Sequence, residues 1–193
     1  KFVQVSTDEV YGDMEDLRGS PEATESFSLK PSSYYSATKA AAEMLVIAAH
    51  RTFNLPYLIT RCCNNFGPDQ HAEKFLPTVF EAMRNNRPIP VYGDGLQIRE
   101  WIHVSDHVSI MANLMHSSYN AETYNIGSGF SYTNLEVIEK ISEELGIPAN
   151  IEYVADRLGH DRKYALDCKK LKAYGGDRIF APLEIFLRRE SRN

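Results

Sequence analysis

The chain has 193 residues, 43% of them hydrophobic and 24% charged, and a formal net charge of −5. That length allows a buried core of one domain, or of one domain with a small subdomain, and no apolar run reaches the roughly 18–20 residues of a membrane span. The acidic balance, with basic residues scattered rather than striped, argues against a nucleic-acid partner. Cys62, Cys63 and Cys168 give no pairing framework and no Asn-x-Ser/Thr sequon occurs, so a reducing, cytoplasmic setting is expected.

The chain starts on an apolar stretch, Phe2 to Val5, read as a strand of a sheet covered on both faces. A start directly on a core strand leads to the expectation that something upstream is missing. Asp13 to Lys30 is polar and reads as a loop. Pro31-Ser32-Ser33 supplies helix-start chemistry for a helix from Tyr34 to Phe53, which must end before Leu55-Pro56. Tyr57 to Thr60 is a second strand. A strand, a crossover helix and a strand make a parallel unit, so the expected fold class is an α/β doubly wound sheet.

In Ala40 to Ala49 of that helix only Glu43 is polar. A helix lying on a sheet needs one apolar stripe, so the second apolar face calls for a cover, a second copy of the protein ahead of a neighbouring helix of the same chain. Further on, the pattern predicts a helix near Leu76 to Asn85, a strand from Ile89 to Tyr92, a turn at Gly93-Asp94-Gly95 and a strand from Ile98 to Val104. These segments read as a lid or subdomain. Ser105 is the expected cap of a helix reaching His116, Thr123 to Gly127 holds another strand, and Asn134 is the expected cap of a helix ending at Gly146.

Tyr35 and Lys39 lie four apart and share one helix face. An ammonium beside a phenol favours the phenolate, which is expected to lower the ordinary tyrosine pKa and make a base for a sugar hydroxyl. The spacing alone is weak. Thr7, Asp8 and Glu9 follow the first strand, where open α/β sheets bind ligands, so both motifs should face one crevice. Two adjacent carboxyl groups can divide acid and base work if their surroundings push their pKa values apart; otherwise they are a solvated strand-end turn. His103 and His107 are four apart but lack a third metal ligand, and Cys62-Cys63 reads as packing after the second strand.

The segments STDEVYG (6–12), YSATK (35–39), NNFGP (64–68), QIREWIHVSDH (97–107), TYNIG (123–127) and DRLGHDRKYALD (156–167) resemble nucleotide-sugar 4,6-dehydratases, the dTDP-glucose 4,6-dehydratases in particular, of the extended short-chain dehydrogenase/reductase superfamily. The resemblance implies a Rossmann-type NAD(P)-binding sheet with a smaller C-terminal substrate-binding subdomain. Residues 1–70 and about 105–127 would belong to the first, and 71–104 with 128–172 to the second. It also implies NAD as cofactor, with a hydride leaving C4 of the hexose and returning to C6. Tyr35 would take the C4 hydroxyl proton, Glu9 the proton on C5, and Asp8 would protonate the departing C6 hydroxyl, with Thr7 near the C4 oxygen. Ser6, Tyr35, Lys39 and Asn65 would hold the cofactor. Asn64, Lys74, Pro90, Tyr92, Arg99, Asn134, Asp156, Arg157 and His160 would hold the nucleotide sugar, and Arg99 and Arg157 are the fork-shaped donors that suit a diphosphate.

Two departures accompany the resemblance. No glycine-rich turn follows a first strand, which implies that the first mononucleotide-binding half is absent from this chain. Residues 173–193 differ from the family's usual ending, as an altered reading frame or alternative exon would produce. Two readings follow: a lyase of nucleotide sugars, or a truncated chain that keeps a nucleotide-sugar or dimerisation surface and acts by binding. A related epimerase or decarboxylase is disfavoured by the Asp8-Glu9 pair.

Overall fold

A computed structural model describes residues 1–15, 22–118, 120–175 and 180–190. In chain order the elements are β1 (Phe2–Thr7), a 3-10 helix (Asp8–Tyr11), α1 (Tyr34–Phe53), β2 (Tyr57–Cys62), β3 (Asn64–Phe66), α2 (Phe75–Arg84), β4 (Ile89–Tyr92) and β5 (Ile98–His103). They continue with α3 (Val104–Met115), β6 (Glu122–Ile126), β7 (Ser131–Thr133), α4 (Asn134–Leu145), β8 (Ile151–Val154), α5 (Lys169–Gly175) and α6 (Leu183–Glu190).

The parallel sheet expected from the strand and helix pattern is present, in the order β1-β2-β6. β1 and β2 pair from Phe2 with Tyr57 to Thr7 with Cys62, so both strands end at the same level. β2 is buried along its whole length, as a central parallel strand must be. Two smaller sheets complete the strands: β5 lies between β3, parallel, and β7, antiparallel, while β4 pairs with β8. One apolar cluster gathers Val10, Leu58, Ile102, Ile110, Leu114 and Ile126 around the first sheet. A second joins Phe66, Leu76, Val79, Val91, Trp101, Ile138 and Ile141.

Local chemistry sets the element ends. Ser33 caps α1 in a capping box with Ser36, and Asn54 closes it in the left-handed region at φ 53°. The caps of the later helices fall elsewhere than expected. His103, not Ser105, caps α3, its ring nitrogen accepting from the Ser105 N–H, and Thr133, not Asn134, caps α4 in a capping box with Glu136. In both cases the residue with extended backbone just before the helix takes the role, and Ser105 and Asn134 already lie inside the first turn. The first strand runs two residues past Val5, placing Ser6 and Thr7 in the sheet.

Glu43 reverses the usual sense of an amphipathic helix. It is 0% exposed and paired with Arg61, while Met44 and Leu45 are 49% and 72% exposed. Within residues 180–190, α6 places Leu183, Phe186 and Leu187 in the second cluster, and Phe186 packs on Phe66 at 5.4 Å between ring centroids. Apolar residues at this spacing suffice to build a helix, whatever produced the sequence.

Candidate active site

The level ends of β1 and β2 open into a cavity of about 330 Å³. Its walls bring together Ser6, Thr7, Asp8, Glu9, Tyr35, Lys39, Asn64, Asn65 and Lys74. The strand and the helix expected to face one crevice therefore do so.

Thr7 ends β1 and caps the 3-10 helix, its Oγ1 accepting from the Glu9 N–H at 3.3 Å and donating to Asp8 Oδ1 at 3.2 Å. That short helix sends Asp8 inward and Glu9 toward the cavity. Gly12 then reverses the chain at φ 76°, where a Cβ would lie 2.1 Å from the Lys30 carbonyl oxygen, so no side chain fits.

Asp8 is 3% exposed, and its Oδ2 has no hydrogen-bond partner among the described residues. Burial, then the charges of Glu9 and Glu100, push its pKa up to about 8, against the opposing Thr7 hydrogen bond and the Arg99 charge. Asp8 is thus protonated at neutral pH. Glu9 is also raised, first by burial, but Arg99, Lys74 and Arg157 pull the other way. Burial thus raises both carboxyl groups, and more cations oppose it at Glu9 than at Asp8, where Arg99 is the cation that does so.

The expectation for Tyr35 is corrected. Its pKa lies above the ordinary value, raised first by burial and then by Glu9, Cys62 and Asp8. Lys39 Nζ stands 5.8 Å from the Tyr35 ring centroid and donates instead to the Val5 carbonyl at 3.0 Å. With two carboxyl groups nearer the phenol in effect than the ammonium, the phenolate is not favoured in this arrangement.

Asn65 is held on both sides, donating to the Cys63 carbonyl at 3.3 Å and accepting from His107 Nδ1 at 2.8 Å. The two histidines thus have separate tasks, His107 fixing Asn65 and His103 capping α3. Cys62 is more than packing: it lines the cavity, with its thiol pushed up to about 11, chiefly by burial. Its position at the carboxyl end of β2 was the available signal.

Beyond Asn64 a second cavity, of about 380 Å³, is lined by Pro90, Tyr92, Arg99, Asn134, Arg157 and His160. Lys74 lies in the first cavity rather than this one. The Arg157 guanidinium sits 5.2 Å from the Tyr92 ring centroid, a cation–π arrangement. Asp156 accepts from His160 Nδ1 at 2.6 Å and from the Arg157 N–H at 2.8 Å, which lowers its pKa. Gly93, at φ 62°, leaves room for it, since a Cβ there would lie 2.8 Å from Asp156 Oδ2. Arg99 is less free than a diphosphate fork: Nη1 donates to the Ile98 carbonyl and Nη2 to the Asp161 carbonyl, both at 2.8 Å. Gln97 went unnoticed in the sequence, yet it is fully buried and donates to the Tyr92 carbonyl and to Asp156 while accepting from Asn134. Phe75 and Trp101 add apolar wall.

Residues 1–127 match the NAD dependent epimerase/dehydratase family. The chain belongs to that family. Among curated relatives, the low-salt glycan biosynthesis protein Agl12 of Haloferax volcanii is 48% identical over 176 residues, which are 91% of this chain and 56% of that protein. The dTDP-glucose 4,6-dehydratase of Haemophilus influenzae is 45% identical over 185 residues, 90% of this chain and 54% of that protein. The crystal structure of dTDP-glucose 4,6-dehydratase from Bacillus anthracis in complex with NAD superposes with a TM-score of 0.91 at 41% identity, covering 100% of this chain and 60% of that one. The family's α/β Rossmann-type fold is thereby shown, and the chain spans about half the length of the curated relatives it matches.

Proposed function

We propose that the protein carrying this chain removes water from a nucleotide-activated hexose, turning dTDP-glucose into dTDP-4-keto-6-deoxyglucose with NAD. The observation that carries this is the placement of the buried Asp8 beside Glu9 in the same cavity as Tyr35 and Lys39, where burial raises the Asp8 pKa.

The donor set suits the cofactor: Lys39 Nζ donates to Val5 O, and the half-exposed Tyr35 stands in the same cavity. Ser6, Tyr35, Lys39 and Asn65 would hold NAD, which when bound supplies the oxidation at C4 and the reduction at C6. The chain's own residues move the protons. With its phenolate favoured by the positive charge of the bound cofactor, Tyr35 would take the C4 hydroxyl proton, and the ketone formed there acidifies the hydrogen on C5. Glu9 accepts that hydrogen as a proton while Asp8 gives its proton to the C6 hydroxyl, and the C6–O bond breaks to release water. Acid and base must act on adjacent carbons of one sugar, which adjacent carboxyl groups at different depths can do.

The second cavity would hold the nucleotide, with Tyr92 against the base and Arg157 at the diphosphate. We assign 1–70 with 105–127 to cofactor binding and 71–104 with 128–172 to substrate binding; the apolar clusters cross this division, with Ile102, Leu166 and Leu171 in the first and Phe66 in the second. The exposed Met44 and Leu45 on α1 support a homodimer through that helix. Three unpaired cysteines, and the absence among the described residues of any helix long and apolar enough to cross a membrane, support a cytoplasmic setting.

Incubation with NAD and dTDP-glucose, followed by mass spectrometry, tests the proposal. A product lighter by one water, formed by the wild type and lost in Tyr35→Phe, supports it; a product of unchanged mass would favour an epimerase, and tight binding of substrate without turnover the binding-only reading.

A further inference from the structure

On α1, Tyr35, Lys39 and Glu43 follow one another at intervals of four and form one stripe. The first two line the catalytic cavity, and the third turns beneath it into a buried polar network. Arg61 Nε donates to both Glu43 oxygens at 3.1 Å and its Nη2 to Glu43 Oε2 at 2.6 Å. Ser6 Oγ donates to Glu43 Oε1 at 2.5 Å. From Arg61 the network continues through Nη1 to the Tyr11 hydroxyl at 2.8 Å, and Tyr11 donates to Asn125 Oδ1 at 2.7 Å.

The ends of this network are informative. Ser6 immediately precedes Thr7, and Tyr11 lies two residues beyond Glu9 in the same 3-10 helix. Glu43 and Arg61 therefore grip the acid–base segment from both sides and tie it to the helix that carries Tyr35 and Lys39. Another polar tie between α1 and β1 is the Lys39 Nζ bond to the Val5 carbonyl at 3.0 Å. The buried residues of α1 are Ser36, Ala40, Glu43 and Val46, so only two small apolar side chains are fully packed, and apolar contacts have no direction with which to set register.

A buried ion pair is a poor device for stability, because apolar residues of similar volume often serve as well or better. We propose that Glu43 and Arg61 are positioning residues for proton transfer, fixing Asp8 and Glu9 against Tyr35 and Lys39, with their effect in the geometry of the site rather than in the stability of the fold. This rests on the dehydratase reading above.

The test is NMR titration of the Asp8 carboxyl, which needs no turnover, in the wild type, in the double variant Glu43→Leu with Arg61→Met, and in Tyr11→Phe. Asp8 is faced by Glu9 on its own element, Tyr35 from α1, Cys62 and Cys63 at the end of β2, and Arg99 and Glu100 from β5, and none of these is altered. The double variant is expected to melt within a few degrees of wild type, yet its Asp8 should titrate at least one pH unit lower, a tenfold gain in acidity, as water reaches the loosened 3-10 helix. Tyr11→Phe should move Asp8 the same way by less, and it decides the matter if the double variant does not fold. Lowered melting with an unmoved Asp8 in the double variant, or an unmoved Asp8 in Tyr11→Phe, overturns the positioning role. A wild-type Asp8 that already titrates as an ordinary carboxyl contradicts the acid role itself, and so separates the two claims.

Discussion

Asp8 and Glu9 are neighbours in sequence but not in environment: Asp8 is sealed beneath the end of β1 with one oxygen unpartnered among the described residues, and Glu9 is partly buried within reach of the charges of Arg99, Lys74 and Arg157. In the proposed reaction, this difference in depth would let two like groups take opposite parts in one elimination.

It also has a cost in stability that pH should reveal. The Asp8 proton is held up to about pH 8 in the folded chain but leaves near its ordinary value of 3.8 when unfolded. Between those values the folded state binds the extra proton, so rising pH steadily removes stability. Asp8→Asn takes away the titration. The variant is predicted to melt above wild type at pH 7.5 by more than about 1 kcal/mol, roughly 2–4 °C for a chain of this size, and the gap should close below about pH 4. Thermal melts of both proteins across that range check it.

Cutting only one side of the buried pair is a different experiment from replacing both. Glu43→Ala leaves the Arg61 guanidinium buried without its carboxylate, keeping the Tyr11 hydroxyl and the Glu25 carbonyl. A loss of about 3–5 kcal/mol is expected in urea unfolding, against little change in the apolar double variant.

The exposed face of α1 should carry the dimer. Light scattering is expected to show the wild type as a dimer and Leu45→Asp as a folded monomer, because a carboxylate cannot be buried between two helices without a partner. A dimeric Leu45→Asp would move the interface elsewhere.

Arg157 is exposed and stacked on Tyr92 at the mouth of the second cavity. Calorimetric titration should find dTDP about tenfold weaker with Arg157→Ala, and the difference should shrink at high salt.

Much of this site was readable in the sequence, because its parts are local. The TDE triplet, the four-residue spacing of Tyr35 and Lys39 and the capping Ser33 each depend on neighbours along one element. What escaped reading depends on partners far away. In the sequence Glu43 is only the one polar residue of Ala40 to Ala49; its part shows once Arg61, 18 residues on, and Ser6, 37 residues back, are seen to enclose it. Tyr35 is raised rather than lowered because of burial first, and then the carboxyl groups of Glu9 and Asp8 on another element. Gln97 has no motif of its own, only three partners on separate segments. The misplaced caps have a simpler cause: Ser105 and Asn134 are favourable cap residues, but the backbone turns one or two positions earlier, at His103 and Thr133.

The central claim is that Asp8 and Glu9 exchange protons with a hexose during loss of water. After elimination across C5 and C6, a saturated product needs a new proton on C5. The most direct measurement is turnover of dTDP-glucose in deuterium oxide, with the product's mass and C5 signal recorded. The account predicts a product lacking one water and carrying one solvent deuterium at C5; a product with the substrate's own composition, or one dehydrated without deuterium at C5, would contradict it.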